Sequence, residues 1–216
     1  MVCHSRAAKY VLGLTEVQMN RTHDYGGGHV ENQLEHLERL CVLTINPAAY
    51  ERDAVRRELS ATGLKAEKLD AAVKAVSVNP GQRTIAEKST LLPRSGAGLR
   101  KLADPADTTA SLESRARSYL QANCAHCHVA AGGGNAQFDV DFLVERDAMK
   151  LLNVAPVHHT FGLPDARLIA PGAPERSLLL HRLTHRDAGH MPPLATGIVD
   201  ELAVKLFREW IAEMKP

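Results

Sequence analysis

The chain has 216 residues, enough for one large domain or two small ones. Its 26 Lys and Arg nearly balance 25 Asp and Glu, so charge marks no nucleic-acid partner and no membrane surface. No apolar run is long enough to span a bilayer, and only 4% of residues are aromatic, with Trp210 the single tryptophan.

The chain opens Met-Val-Cys-His. Cys3-His4 reads as the second half of a C-x-x-C-H motif, with Met1 and Val2 as its spacers. The first Cys would then stand just before Met1, so the expectation is a fragment or a start assigned too late. The opening residues hold no apolar signal core. A helix is expected over Ala7 to Leu14, ended by Gly13, then a loop over Thr22 to Gly28 with three consecutive glycines. Glu31 to Leu43 places Leu34, Leu37, Leu40 and Cys41 on one face of a helix, and Cys41 reads as a buried small hydrophobe. Met19, His23, His29 and His36 are candidate distal ligands for a group held at His4, and each also reads as a surface or packing residue.

Pro47 opens an expected helix over Ala48 to Thr62, stopped by Gly63. A third follows over Leu64 to Val78, before an Asn79-Pro80-Gly81 turn. Thr90 to Thr109 is rich in Pro, Gly, Ser and Asp and reads as a linker. The expected organisation is therefore a helical module over 1–93, a linker over 94–110 and a domain over 111–216. Ser111 is positioned to cap a helix with the apolar stripe Leu112, Ala116, Tyr119 and Leu120. That helix runs straight into Asn123-Cys124-Ala125-His126-Cys127-His128.

Beyond it, Gly132 to Gly134 form a glycine loop without the Gly-Lys-Ser/Thr of a phosphate-binding loop. Asp139 and Asp141 lack the remaining ligands of a calcium loop and read as solvated carboxylates. His158 and His159 are adjacent, point apart and read as surface. A short helix is expected over Leu178 to Leu183, and a long one over Asp200 to Met214. In the latter, Leu202, Leu206, Trp210 and Met214 recur at i+4, with Ala203, Phe207 and Ile211 alongside.

Cys124-x-x-Cys127-His128 carries the chemistry. Two thiols two residues apart suit the two vinyl groups of haem, and the next residue then lies beneath the ring with its imidazole toward iron. His126 is only a spacer. Zinc would need a second C-x-x-C or an H-x(3–5)-H downstream at zinc spacing, and neither stands there. A thioredoxin-like pair would need a strand–helix context. A buried haem also supplies the aromatic surface that the chain lacks. On the opposite side Met191 is the candidate sixth ligand, because Pro192 and Pro193 hold its loop extended. His190 is the rival, and a gap-filling core Met is the structural alternative. Met/His ligation leaves iron no open position, so electron transfer is expected. A carbonyl near Pro171 is the expected acceptor for His128 Nδ1, and Arg176 or Arg186 the expected propionate partner.

The order C-x-x-C-H, Met in a Pro-rich loop, then a C-terminal amphipathic helix resembles class I cytochrome c. A closer resemblance is to the dihaem cytochrome segment of certain bacterial haem-binding proteins, often linked to a PQQ-dependent sugar dehydrogenase-like domain. It rests on Cys3-His4, Leu12-Gly13-Leu14, Gln18-Met19-Asn20, Asn32-Gln33-Leu34, Leu102 to Pro105 and Arg115 to Leu120. It continues with Asn123 to His128, Gly132 to Gly134, Ile169 to Gly172, Arg176-Ser177-Leu178, Met191 to Leu194 and Trp210-Ile211. The stretch from about Asn46 to Arg94 has no counterpart. The resemblance implies an all-α chain, with a cytochrome c-like C-terminal domain preceded by a small helical module. It implies haem c at Cys124 and Cys127, a second haem at Cys3 and His4 in a longer protein, and a periplasmic or otherwise extracytoplasmic location. The implied partner is a redox protein or a fused dehydrogenase domain. The alternatives are a peroxidase-like enzyme with an open iron site and a haem-free helical interaction module.

Overall fold

The computed structural model describes residues 4–5, 8, 10–45, 91–92, 99–194 and 196–215. Cys3, the helices expected over 48–62 and 64–78, and the turn at 79–81 lie outside the described residues. Contacts divide the chain into two compact units, Glu16–Lys101 and a second built from Met1–Thr15 with Leu102–Pro216.

In the unit Glu16–Lys101, helix α1 (Glu16–Met19) precedes strands β1 (Thr22–Asp24) and β2 (Val30–Asn32). These pair antiparallel in the register Thr22↔Asn32, His23↔Glu31 and Asp24↔Val30. Gly26, Gly27 and Gly28 all take positive φ at the tip, which a side chain would resist. Helix α2 (Gln33–Arg39) starts immediately, its first amides accepted by the Asn32 side chain. Buried Asn20 accepts from Asn32 Nδ2 at 2.7 Å and donates to the Leu99 carbonyl at 2.9 Å, tying the hairpin to residue 99. A short parallel pair joins β3 (Thr44–Ile45) to β4 (Leu91–Leu92).

These ladders overturn the all-α expectation. The described chain is mixed and sparse in helix, with long irregular connections. The hairpin occupies the stretch read as a loop at 22–28. The helix expected over Glu31 to Leu43 is shorter, and only Leu34 of its predicted face is buried. Cys41 is exposed, not buried, at a left-handed φ of 57°. Residues 10–14 are bends rather than helix, with Tyr10 at φ 63° and Gly13 at φ 81°.

The second unit is held by three helices, α3 (Leu112–Asn123), α4 (Leu178–Thr184) and α5 (Glu201–Glu213). Ser111 caps α3 by accepting from Ser114 N, and Asp200 caps α5 by accepting from Ala203 N. Ala116 and Leu120 of α3 pack with Ala203, Leu206, Phe207, Trp210 and Ile211 of α5, and with Leu180 and Leu183 of α4. Phe207 is fully buried, worth roughly 1.5–3 kcal/mol of hydrophobic transfer. Trp210 Nε1 donates to Glu113 Oε2 at 2.7 Å, a polar clasp between α5 and α3. Leu202 departs from the expected stripe: it is 73% exposed at the first turn of α5.

Loops are fastened to these helices by named polar groups. Arg117 donates to the carbonyls of Asp141, Phe142 and Val144, and Gln121 Oε1 accepts from Phe142 N at 2.7 Å. Asp139 and Asp141 are not idle carboxylates: Asp139 accepts from Ala130 N and Asp141 N, and Asp141 accepts from Leu143 N. Ser177 Oγ accepts from Ala170 N at 2.9 Å, and Gly172 N donates to the Ile211 carbonyl at 2.8 Å, so the 169–177 loop is pinned to the C-terminal end of α5. Residues 102–110 join this unit too, through Ala103 N to Ser118 Oγ and Arg115 Nε to the Pro105 carbonyl. No helix among the described residues is long and apolar enough to cross a membrane.

Candidate functional site

Helix α3 delivers the motif. Cys124 is its C-cap residue, with its N–H donating to the Leu120 carbonyl. The chain keeps turning: Cys127 N and His128 N both donate to the Cys124 carbonyl, at 3.0 and 2.9 Å. Cys127 is buried, Cys124 and His128 are half-buried, and the two cysteines are not joined in a disulfide. Burial, then the neighbouring Cys127, push the Cys124 thiol up to about 12. A redox C-x-x-C does the opposite, lowering its thiol at a helix N-terminus. Here Cys124 sits at the negative end of the helix, which argues against nucleophilic thiol chemistry.

The glycine loop folds back over the motif. Gly134 N donates to the Cys127 carbonyl at 3.0 Å. A Cβ on Gly134 would stand 2.6 Å from His128 Nδ1, and one on Gly132 would strike the Cys127 carbonyl. His128 stacks on Phe138, with centroids 4.2 Å apart and planes 9° from parallel. Val140 N donates to the His128 carbonyl at 2.9 Å. The imidazole plane is thus fixed from one side by a ring and from another by a residue without a side chain.

His128 Nδ1 is buried, and no hydrogen bond among the described residues links it to a carbonyl near Pro171. It lies against Gly134, so the expected acceptor near Pro171 is corrected. Burial holds the His128 imidazole below its ordinary value, partly opposed by the Ala136 backbone. A neutral imidazole suits metal ligation.

Cys124, Cys127 and His128 open onto a cavity of about 470 Å³, a size typical of cofactor sites, roughly 300–1,000 Å³. Leu120, Leu151, Leu178, Leu183 and Phe207 supply apolar wall, and Met191 and Pro192 also line the cavity. The Met191 loop is latched to α4: Met191 N donates to the Arg182 carbonyl at 3.0 Å, and Arg182 Nη1 donates to the Gly189 carbonyl at 2.8 Å. His190 does not line the cavity, and its Nδ1 donates to the Asp187 carbonyl at 2.7 Å. His158 and His159 are exposed at the cavity's edge.

Neither expected propionate partner lines the cavity. Arg176 donates to the Asp165 carbonyl, and Arg186 to the carbonyls of Leu183 and Ile198. Arg182 lines it instead, lying 4.8 Å over the Phe161 ring. Its position on α4 between cavity residues Leu179 and Leu183 was the available signal. His4 belongs to this same unit, where it is exposed and its Nδ1 donates to the Tyr10 carbonyl at 2.6 Å. Burial, then the His4 charge, lower His126.

The residues fit a haem on the chemistry of their donors. Two thiols and an imidazole share one wall segment, a thioether lines the same apolar space, and the imidazole's orientation is locked. Comparisons with protein-family models, curated proteins and solved structures find no match to this chain.

Proposed function

We propose that this chain is a c-type cytochrome, an electron carrier with haem c attached at Cys124 and Cys127. The observation that carries the reading is the convergence of Cys124, Cys127, His128 and Met191 on one apolar cavity of about 470 Å³. When bound, haem iron takes up and gives back one electron without breaking a bond in the protein.

The chain's own residues hold and insulate. Cys124 and Cys127 would hold haem covalently, each thiol supplying a thioether bond to the group. His128 would hold iron through its imidazole and Met191 through its thioether, a donor pair that suits electron transfer. Phe138 stacking and the Gly132–Gly134 loop keep the imidazole from rotating. Leu120, Leu151, Leu183 and Phe207 exclude water, which favours the less charged ferrous state. Arg182 offers a guanidinium at the wall for a propionate. The partner is a redox protein or fused dehydrogenase domain, and the compartment is one where haem is attached covalently, outside the cytoplasm.

The test is expression in a haem-attaching periplasm. Haem should stay on the polypeptide through denaturing electrophoresis. The ferric protein should show the weak red-edge charge-transfer band of thioether ligation, and Met191→Ala should remove that band while keeping covalent haem. A colourless product with the mass of the bare chain would end the proposal. A high-spin ferric spectrum without the band would instead favour an open-site, peroxidase-like enzyme.

A further inference from the structure

The hairpin and α2 bring together a second set of donors, in the other unit and unrelated to the haem site. His29 stands just before β2 and Glu31 within it. Two residues apart on extended chain, they project to one face. His36 comes up from the first turns of α2. Glu31 Oε2 lies 3.0 Å from His29 Nε2 and 2.7 Å from His36 Nδ1, and the two nitrogens are 3.5 Å apart. Ligands bound at the usual distance around a tetrahedral ion stand about 3.3 Å apart, so these three already form its tripod.

Arg39 Nη2 occupies the hub. It is 2.9 Å from Glu31 Oε2, 2.9 Å from His36 Nδ1 and 3.4 Å from His29 Nε2. This arrangement is in conflict with itself. His36 Nδ1 faces a carboxylate, to which it must donate, and a guanidinium, from which it must accept. One nitrogen cannot do both in any single tautomer. His29 Nε2 meets the same pair of demands. A single cation accepting lone pairs from all three atoms would remove the conflict, at the place Arg39 Nη2 now fills.

We infer that His29, Glu31 and His36 bind a divalent transition-metal ion of the zinc class, with Arg39 as a built-in competitor that swings out when the ion enters. Two imidazoles and one carboxylate are a borderline-soft donor set that suits Zn²⁺ and Cu²⁺ over Mg²⁺ or Ca²⁺. His36 is pre-positioned by stacking on Tyr25, at 3.8 Å and 15°. Arg39 is half out in solvent, so its release costs little packing. A fourth position stays open to water or to an outside ligand, as in sites that act on substrate.

Equilibrium dialysis of the full-length, haem-loaded chain against Zn²⁺ alone tests this. One ion per chain should bind. His29→Ala and Glu31→Gln should each weaken it by roughly tenfold or more, with unchanged circular dichroism. Arg39→Ala should tighten it several-fold, which a merely structural ion pair would not do. A haem-free chain carrying Cys124→Ser and Cys127→Ser should keep the ion. Zinc uptake indifferent to His29 and Glu31, uptake lost with the cysteine pair, or weaker binding in Arg39→Ala would each overturn the inference.

Discussion

At the scale of single residues, the candidate site turns on what is missing from Gly134. Its absent side chain is the space into which His128 Nδ1 and Cε1 fit, 2.6 and 2.7 Å from where a Cβ would stand. Contacts that short force something to move, and the neighbours are a stacked ring and hydrogen-bonded backbone. Gly134→Ala should therefore tilt the imidazole off Phe138 and destabilise the unit by roughly 1–3 kcal/mol. Denaturant titration reads the stability, and the yield of covalent haem reads the tilt. That Cys124, Cys127 and His128 lie together was legible in the sequence because they are near neighbours in the chain. Gly134's role was not, because a glycine triplet announces only a loop. Arg182 was easy to miss for a related reason: a cationic residue on a short amphipathic helix usually faces only water, whereas this half-buried one also lines the cavity.

At the scale of elements, α5 was readable and the hairpin was not. Helix α5 repeats apolar residues at i+4 because one side is buried against α3 and α4, and burial is what writes periodicity into a sequence. Strand β1 is exposed at all three residues and β2 is no more than half-buried, so no alternation was there to find. Leu202 shows the converse limit. It keeps the period but sits in the first turn, beyond the reach of the partners that cover Leu206 and Trp210. The clasp between Trp210 and Glu113 spans 97 residues of sequence and left no local trace. Glu113→Ala would leave the indole N–H buried without an acceptor, and should cost roughly 1–3 kcal/mol in thermal or denaturant unfolding.

The hairpin–α2 junction also has its own pH dependence. Hydrogen bonds from Arg39, then His36, hold the Glu31 carboxyl at about 2, against an ordinary 4.5. The ionised form is the one the fold prefers, so its contribution is complete above 4.5 and fades as pH falls toward 2. Amide protection in α2 should drop as pH falls from 4.5 to about 2. Glu31→Gln should flatten that change, and an unaltered profile would show that the carboxylate does not hold the helix.

At the scale of the whole molecule, the chain's two compact units each enclose their own buried residues, Leu34 and Asn20 in one and the Phe207 cluster in the other. The sequence suggested a division near its Pro- and Gly-rich stretch. It did not suggest that residues 4–15 group with residues 102–215, because that association joins segments about half a chain apart. The consequence is thermodynamic. A ligand stabilises the cooperative unit that binds it, and other units only as far as they unfold together. Haem attached at Cys124 and Cys127 should raise hydrogen-exchange protection in α3 and α5 and leave α2 near its haem-free value. Zinc at His29, Glu31 and His36 should do the reverse. Equal gains in all three helices from either ligand would mean that the units unfold as one, whatever their separate cores suggest. Opposite and separable gains would mean that the unit bearing Cys124 and Cys127 and the unit bearing His29 and His36 are tuned independently within one chain.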